Sequence, residues 1–256
     1  MRILVAIPVY NEERHVDSVL RRVLRFASDV LVIDDGSTDP TPCMLPKHRV
    51  EVIRHAANRG YGRSLGDAFR WAQTFGFDWV ITMDCDEQHE PDAIPRFVEA
   101  IETDRWDIIS GSRYLSHDGA ADRPPEDRRA INRQLTDEIN RRLGMSITDT
   151  FCGFKAHRTS AISRLDLSET GYAFPMQLWV EAAAANLRLT EIPVRLIYND
   201  PSRTFGGPLN NPETRLTHYR DSLYQALRRR ATSLPVTALD GIPGPVVCPT
   251  TAGCRA

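Results

Sequence analysis

The chain predicts an α/β fold: a mostly parallel sheet flanked by helices. Three observations carry this. Short continuous apolar runs recur along the first ~115 residues, a helical stripe separates successive runs, and acidic, amide or glycine residues gather where the runs stop. An apolar run without alternation reads as a strand buried on both faces, the pattern of parallel sheets whose crossovers are helices. Ile3-Leu4-Val5-Ala6-Ile7, closed by Pro8, is the first strand. Glu12 to Ala27 then carries Val16, Val19, Leu20, Val23, Leu24 and Ala27 at helical spacing. Val30 to Ile33, Val50 to Ile53, Trp79 to Met83 and Asp107 to Ser110 are the next strands, with helices expected from about Arg63 to Thr74 and Pro91 to Thr103. Ligands of such sheets bind beyond the carboxyl ends of the strands. Asn11, Asp34, Asp35, Asp84, Asp86 and Arg113 all fall there, which argues for one shared site.

Beyond Tyr114 the alternation breaks. Residues 117–127 read as a loop and 128–143 as a helix with Ile131, Leu135, Ile139 and Leu143 on one face. Pro175 opens a helix to Asn186, Leu189 to Ile197 is a further strand, and 213–230 is a last helix. The division expected is one domain over 1–231, with a nucleotide-binding half (1–115) and an acceptor-binding half (116–231). Residues 232–256, with four prolines and no pattern, are expected to be a disordered tail.

Composition excludes several classes. With 41% apolar and 26% charged residues, the 256-residue chain is an ordinary globular one. A net charge of -2 gives no field to recruit nucleic acid or an anionic membrane. The five cysteines are scattered without a Cys-x-x-Cys pair, so neither a zinc site nor a disulfide framework is suggested, and a reducing cytoplasm is the default. Nothing approaches 18 consecutive apolar residues. The 213–230 helix could lie on the inner face of a membrane as a peripheral contact, but an arginine-rimmed packed helix is the commoner explanation. Basic charge is almost all arginine; Lys47 and Lys155 are the only lysines.

Asp84-Cys85-Asp86-Glu87-Gln88 is the most informative segment. If the chain is still extended there, positions 84, 86 and 88 point to one side. Three hard oxygen ligands on one side suit Mg²⁺ or Mn²⁺, which in turn would hold a substrate phosphate. A polar strand exit is the plain alternative. No dinucleotide fingerprint follows the first strand, and the glycines at 60, 62 and 66 have the wrong spacing for one. No Walker-type Gly-Lys loop occurs either.

Six segments taken together resemble glycosyltransferase family 2, which has the GT-A fold, and within it the dolichol-phosphate mannosyltransferases and other polyprenyl-phosphate glycosyltransferases. They are Ile7-Pro8-Val9-Tyr10-Asn11-Glu12, Asp34-Asp35-Gly36-Ser37, Asn58-Arg59-Gly60-Tyr61-Gly62, Asp84 to His89, Gly111-Ser112-Arg113-Tyr114 and Asp149 to Phe154, in the family's order. The resemblance spans roughly residues 2–205. It implies an inverting enzyme that moves a sugar from a GDP- or UDP-sugar to an acceptor, by preference a polyprenyl phosphate. Pro8, Tyr10 and Glu12 would line the base and ribose pocket, Asp35 would bond the base edge, and Gly60 and Gly62 would allow close backbone approach to the donor. Asp84, Asp86 and Gln88 would hold the metal. Arg113, Arg128 and Arg203 would hold phosphate, although Arg203 and Thr204 stand where lysine is usual. A sugar-hydroxyl or glycan acceptor would instead need a base, for which Asp149 is the candidate. A sugar nucleotidyltransferase would carry a glycine-rich basic loop where this chain has Tyr10 to Glu13. The remaining rival is a catalytically silent nucleotide-sugar-binding protein.

Overall fold

One mixed sheet positions every other element. The computed structural model describes residues 1–115, 125–195, 197 and 207–243. Its strands are β1 (Ile3–Val9), β2 (Val30–Asp34), β3 (Glu51–Arg54), β4 (Trp79–Thr82), β5 (Ile108–Ser112), β6 (Lys155–Arg158) and β7 (Leu189–Pro193). They form a seven-stranded sheet in the order β3-β2-β1-β4-β6-β5-β7. The pairs β1–β2, β1–β4, β2–β3 and β5–β7 are parallel. β6 runs antiparallel between β4 and β5.

β6 corrects the expectation that the first five strands make one continuous alternation. Lys155-Ala156-His157-Arg158 has no β-branched residue and a single apolar one, so it carries none of the signals of a strand. It is nevertheless central, with Lys155, Ala156 and His157 buried. β3, by contrast, is an edge strand whose side chains are largely exposed.

The helices are α1 (Val16–Val23), α2 (Thr41–Met44), α3 (Tyr61–Thr74), α4 (Ile94–Glu102), α5 (Glu126–Leu143), α6 (Thr159–Ile162), α7 (Phe174–Ala184) and α8 (Pro212–Arg229). Alternate residues of β1 feed the two faces of the sheet. Val5 and Ile7 pack with Val16, Leu20, Ile94 and Phe97 of α1 and α4. Leu4 and Ala6 pack with Leu65, Phe69, Phe174 and Leu178 of α3 and α7. A third cluster joins α5, α7 and α8 through Leu135, Ile139, Trp179, Tyr219 and Leu223. α7 is therefore covered on both sides and is apolar nearly all round.

α8 begins at Asn211, whose side chain accepts from Thr214 N at 3.0 Å, with Pro212 in the first turn. Its apolar face is packed, in agreement with the packed reading of this helix. Among the described residues no helix is long and apolar enough to cross a membrane. The chain beyond α8 corrects the expectation of disorder from residue 232. Residues 231–233 and 236–239 form 3₁₀ turns, and Ala238 is fully buried. The buried Arg142 of α5 donates to the carbonyls of Ala238 and Asp240, both at 2.9 Å. With its bond to Glu138 these make three polar contacts of one guanidinium, which cannot be guessed from composition.

Candidate active site

A cavity of about 350 Å³ opens at the carboxyl ends of the parallel strands. Pro8 lines it from the end of β1, Tyr10 and Glu12 from beyond β1, Asp35 from beyond β2, Asp84, Asp86 and Gln88 from beyond β4, Arg113 from beyond β5 and Arg128 from α5; Gly60 lies at the start of α3. The residues chosen from sequence thus converge, with exceptions. Gly62 and Asp149 do not line the cavity, nor do Asn11 and Asp34. Arg203 lies outside the described residues.

At the acidic end, β4 stops at Thr82, one residue earlier than expected, and Glu87 takes a left-handed φ of 58°. The alternation persists all the same. Met83 and Cys85 enter the core while Asp84, Asp86 and Gln88 face the cavity. Asp86 Oδ1 accepts from Gln88 N at 3.0 Å. Asp84 is seated against Gly153, where an added Cβ would lie 2.4 Å from Asp84 Oδ2; glycine is required there by space alone. His89, in the loop after β4, is buried. Its Nδ1 accepts from Asp84 N at 3.2 Å, leaving Nε2 facing Cys152 Sγ at 3.9 Å. His89 is therefore a prop beneath Asp84.

Asp84 Oδ1 is buried and has no hydrogen-bond partner among the described residues. Burial raises the Tyr61 hydroxyl pKa well above its ordinary value, and the Asp84 carboxylate that it hydrogen-bonds adds to the effect. An orphaned carboxylate oxygen beside a second carboxylate and an amide fits a hard divalent cation. No group of three His, Cys, Asp or Glu side chains that could hold a metal occurs among the described residues. The set is thus sparse, as suits an ion that keeps waters and takes substrate oxygens.

At the nucleotide end the structure redistributes several roles. Asp35 accepts from Arg59 N and Gly60 N, both at 2.8 Å, and lies 2.6 Å from His55 Nδ1. Its carboxylate thus holds the turn before α3 as well as lining the cavity. Asp34 is wholly buried, accepting from Ser37 N at 2.9 Å and standing 3.2 Å from Arg54 Nε. Asn11 (φ 56°) braces the loop after β2, its Oδ1 accepting from Thr38 N at 2.8 Å. Gly60 and Gly62 are needed, but not for the donor alone. A Cβ at either would meet the carbonyl of Thr170 or Glu169 at 2.3 Å or 2.2 Å. The close approach they permit is that of the 169–171 segment to α3.

At the basic end, Asp149 and Arg113 form a two-pronged pair, with Nε–Oδ2 at 2.6 Å and Nη2–Oδ1 at 2.8 Å. Asn132 Nδ2 adds a bond to Asp149 Oδ1 at 2.9 Å. Asp149 is fully buried; desolvation opposes its charge, yet Arg113 beside it and the Asn132 amide hold its carboxyl well below the usual range. Arg129 and Arg133 pair with their own helix neighbours Glu126 and Asp137, as a solvated helix face would.

Four residues of the site were not singled out from sequence. Arg215 of α8 and Tyr219 line the cavity beside Arg128; Arg215 is buried and reaches Asp127 Oδ2 at 2.5 Å. Lys155 and His157 of β6 form its floor. Lys155 lies over the Trp179 ring at 5.3 Å, and its Nζ donates to the Cys152 carbonyl. Burial lowers its pKa below the ordinary lysine value. His157 lies edge-on to Phe69, its Nδ1 has no hydrogen-bond partner among the described residues, and burial followed by the Lys155 charge lowers its pKa to about 3. Lys155 follows the Gly153-Phe154 pair directly, a positional hint that was legible; nothing in the sequence marked His157.

Residues 4–166 match the family described as "Glycosyl transferase family 2". The chain is 30% identical over 232 residues to the undecaprenyl-phosphate mannosyltransferase of Micrococcus luteus, covering 86% of this chain and 94% of that protein. It is 29% identical over 204 residues to the polyprenol monophosphomannose synthase of Mycolicibacterium smegmatis, covering 75% and 76%. Among solved structures, glucosyl-3-phosphoglycerate synthase from Mycobacterium tuberculosis, in complex with Mn²⁺, uridine diphosphate and phosphoglyceric acid, superimposes with a TM-score of 0.67 at 18% identity, over 95% of this chain and 80% of that one. That likeness speaks to the fold alone, which is GT-A. With the six segments assembled at the ends of one sheet and the family matched over most of its length, the chain belongs to glycosyl transferase family 2 and is a glycosyltransferase.

Proposed function

We propose that this glycosyltransferase moves a sugar from a GDP- or UDP-sugar to the phosphate of a polyprenyl phosphate, with inversion at the anomeric carbon. The observation that carries the choice of acceptor is the state of Asp149. A sugar hydroxyl needs a base near the operating pH and within reach of its proton. Asp149 is buried away from the cavity and its pKa is held down by Arg113. A phosphate monoester, with a second pKa of about 6, is already a nucleophile at neutral pH. It needs alignment and charge neutralisation, which Arg113, Arg128 and Arg215 can supply. The Micrococcus and Mycolicibacterium relatives, named for transfer to undecaprenyl phosphate and for polyprenol monophosphomannose synthesis, point the same way.

In this reading Pro8, Tyr10 and Glu12 hold the nucleoside. Asp84, Asp86 and Gln88 hold Mg²⁺ or Mn²⁺, whose chemistry there is to stabilise the charge that gathers on the departing nucleoside diphosphate. Arg113 fixes the acceptor oxygen in line with the anomeric carbon, and Asp149 and Asn132 fix Arg113. The test is a nucleotide-sugar panel with and without Mn²⁺, using polyprenyl phosphate and free sugars as acceptors. Transfer to free sugars and none to the lipid phosphate would refute the reading. Asp149→Asn discriminates further. It should lower kcat/KM by roughly tenfold, the worth of one charge-assisted bond to Arg113, while leaving the pH profile in place. Abolished turnover with loss of the acidic limb would instead identify Asp149 as the base.

A further inference from the structure

The cavity floor holds a charge that none of these roles uses. Lys155 is buried on a central strand, and no carboxylate of the described residues lies within ion-pair distance of it. Its contacts are the Cys152 carbonyl and the face of Trp179. An ammonium has three donors, and a buried cation without a counter-charge costs several kcal/mol. Ion pairing supports the other buried cations described above: Arg142 has Glu138 and Arg215 has Asp127, just as the half-buried Arg113 has Asp149. Lys155 is also one of two lysines in a chain whose basic residues are otherwise arginine. A lysine offers a compact point charge where an arginine would impose a planar fork. It stands between the two ends of the site, within electrostatic reach of Asp84 on one side and of the Arg113–Asp149 pair on the other. His157, two residues along the same face, is uncharged and so adds no second positive charge.

We infer that the Lys155 ammonium is a substrate-binding cation at the floor of the cleft, taking a phosphoryl oxygen of the bound substrates as the counter-charge that none of the described residues supplies. The inference rests on the proposed reading of the cleft as a phosphate site. The phosphoryl group can come from the donor diphosphate or from the acceptor, and the two are separable by experiment.

Lys155→Met keeps the apolar contact with Trp179 and removes the charge. The expected result is a folded protein whose melting temperature is unchanged or higher and whose kcat/KM is lower by about 10- to 100-fold, the worth of one charge-assisted hydrogen bond. A folded variant with unaltered kcat/KM and unaltered nucleotide affinity overturns the inference. Should the variant fail to fold, the wild type answers alone, because ε-labelled lysine gives just two signals, from exposed Lys47 and buried Lys155. Titration with Mg²⁺ and UDP or GDP, then with inorganic or farnesyl phosphate, should move the Lys155 signal and leave Lys47 in place. Movement with the nucleotide assigns the donor phosphate, and movement only with the monophosphate assigns the acceptor. A signal that ignores all four ligands overturns the inference. Absence of transfer in the wild type, with the Lys155 signal still moved by phosphate, would refute the proposed function and leave the anion site standing.

Discussion

The two ends of the cleft are built on opposite terms. At the acidic end Asp84 has a buried oxygen without a partner among the described residues, held in place by a glycine behind it and a histidine beneath it. At the basic end Arg113 and Asp149 satisfy one another, and Asn132 completes the set. A site that must receive a cation keeps a carboxylate oxygen in reserve and accepts the repulsion. A site that must place a guanidinium fixes it with a buried counter-ion. The first arrangement costs stability for function, whereas the second makes stability and function depend on the same bond.

The comparison can be broken most severely at the acidic end. Asp84→Ala with Asp86→Ala should lower kcat/KM by at least ~10³-fold with either cation. The same variant should melt at the wild-type temperature or above it, because two mutually repelling carboxylates are gone. A large drop in melting temperature would show that these residues are structural. At the basic end, Arg113→Ala should lose activity and fold stability together. It strands a buried carboxylate, a loss of about 3–5 kcal/mol readable by urea denaturation. Replacing the pair jointly (Arg113→Met with Asp149→Leu) should recover most of the stability and none of the activity. The smallest effect concerns pH. His157 is unprotonated in the fold until about pH 3, whereas an unfolded histidine takes its proton near pH 6.5. Between those values the unfolded state binds more protons, so stability falls as the pH is lowered across the window. His157→Phe should flatten that slope in melting curves taken from pH 7 to pH 4.

The parallel strands, their helices and the convergence of Pro8, Tyr10, Glu12, Asp84, Asp86, Gln88, Arg113 and Arg128 were legible because each depends on local pattern. Apolar runs mark strands, and strand ends mark the site. What was not legible depends on partners distant in the chain. Asp149 resembles a base until Arg113, 36 residues away, is seen to hold it. Gly62 resembles a ligand contact until the Glu169 carbonyl is found above it. His89 resembles a solvated residue until Phe154 is found against its ring, with centroids 5.4 Å apart. His157 hides best, since a polar strand at the centre of a sheet has no signature in composition; Lys155 had only its place after Gly153-Phe154 to mark it.

That central strand also sets the order in which the protein can be made. β1 to β4 can pair as they leave the ribosome, but β5 must wait for β6 on one side and for β7 on the other. At roughly 5–20 residues per second, the gap between β4 and β5 stays open until translation has passed Arg158, seconds after β4 is complete. Any cut between residues 115 and 155 should therefore yield an aggregating fragment in place of a nucleotide-binding half.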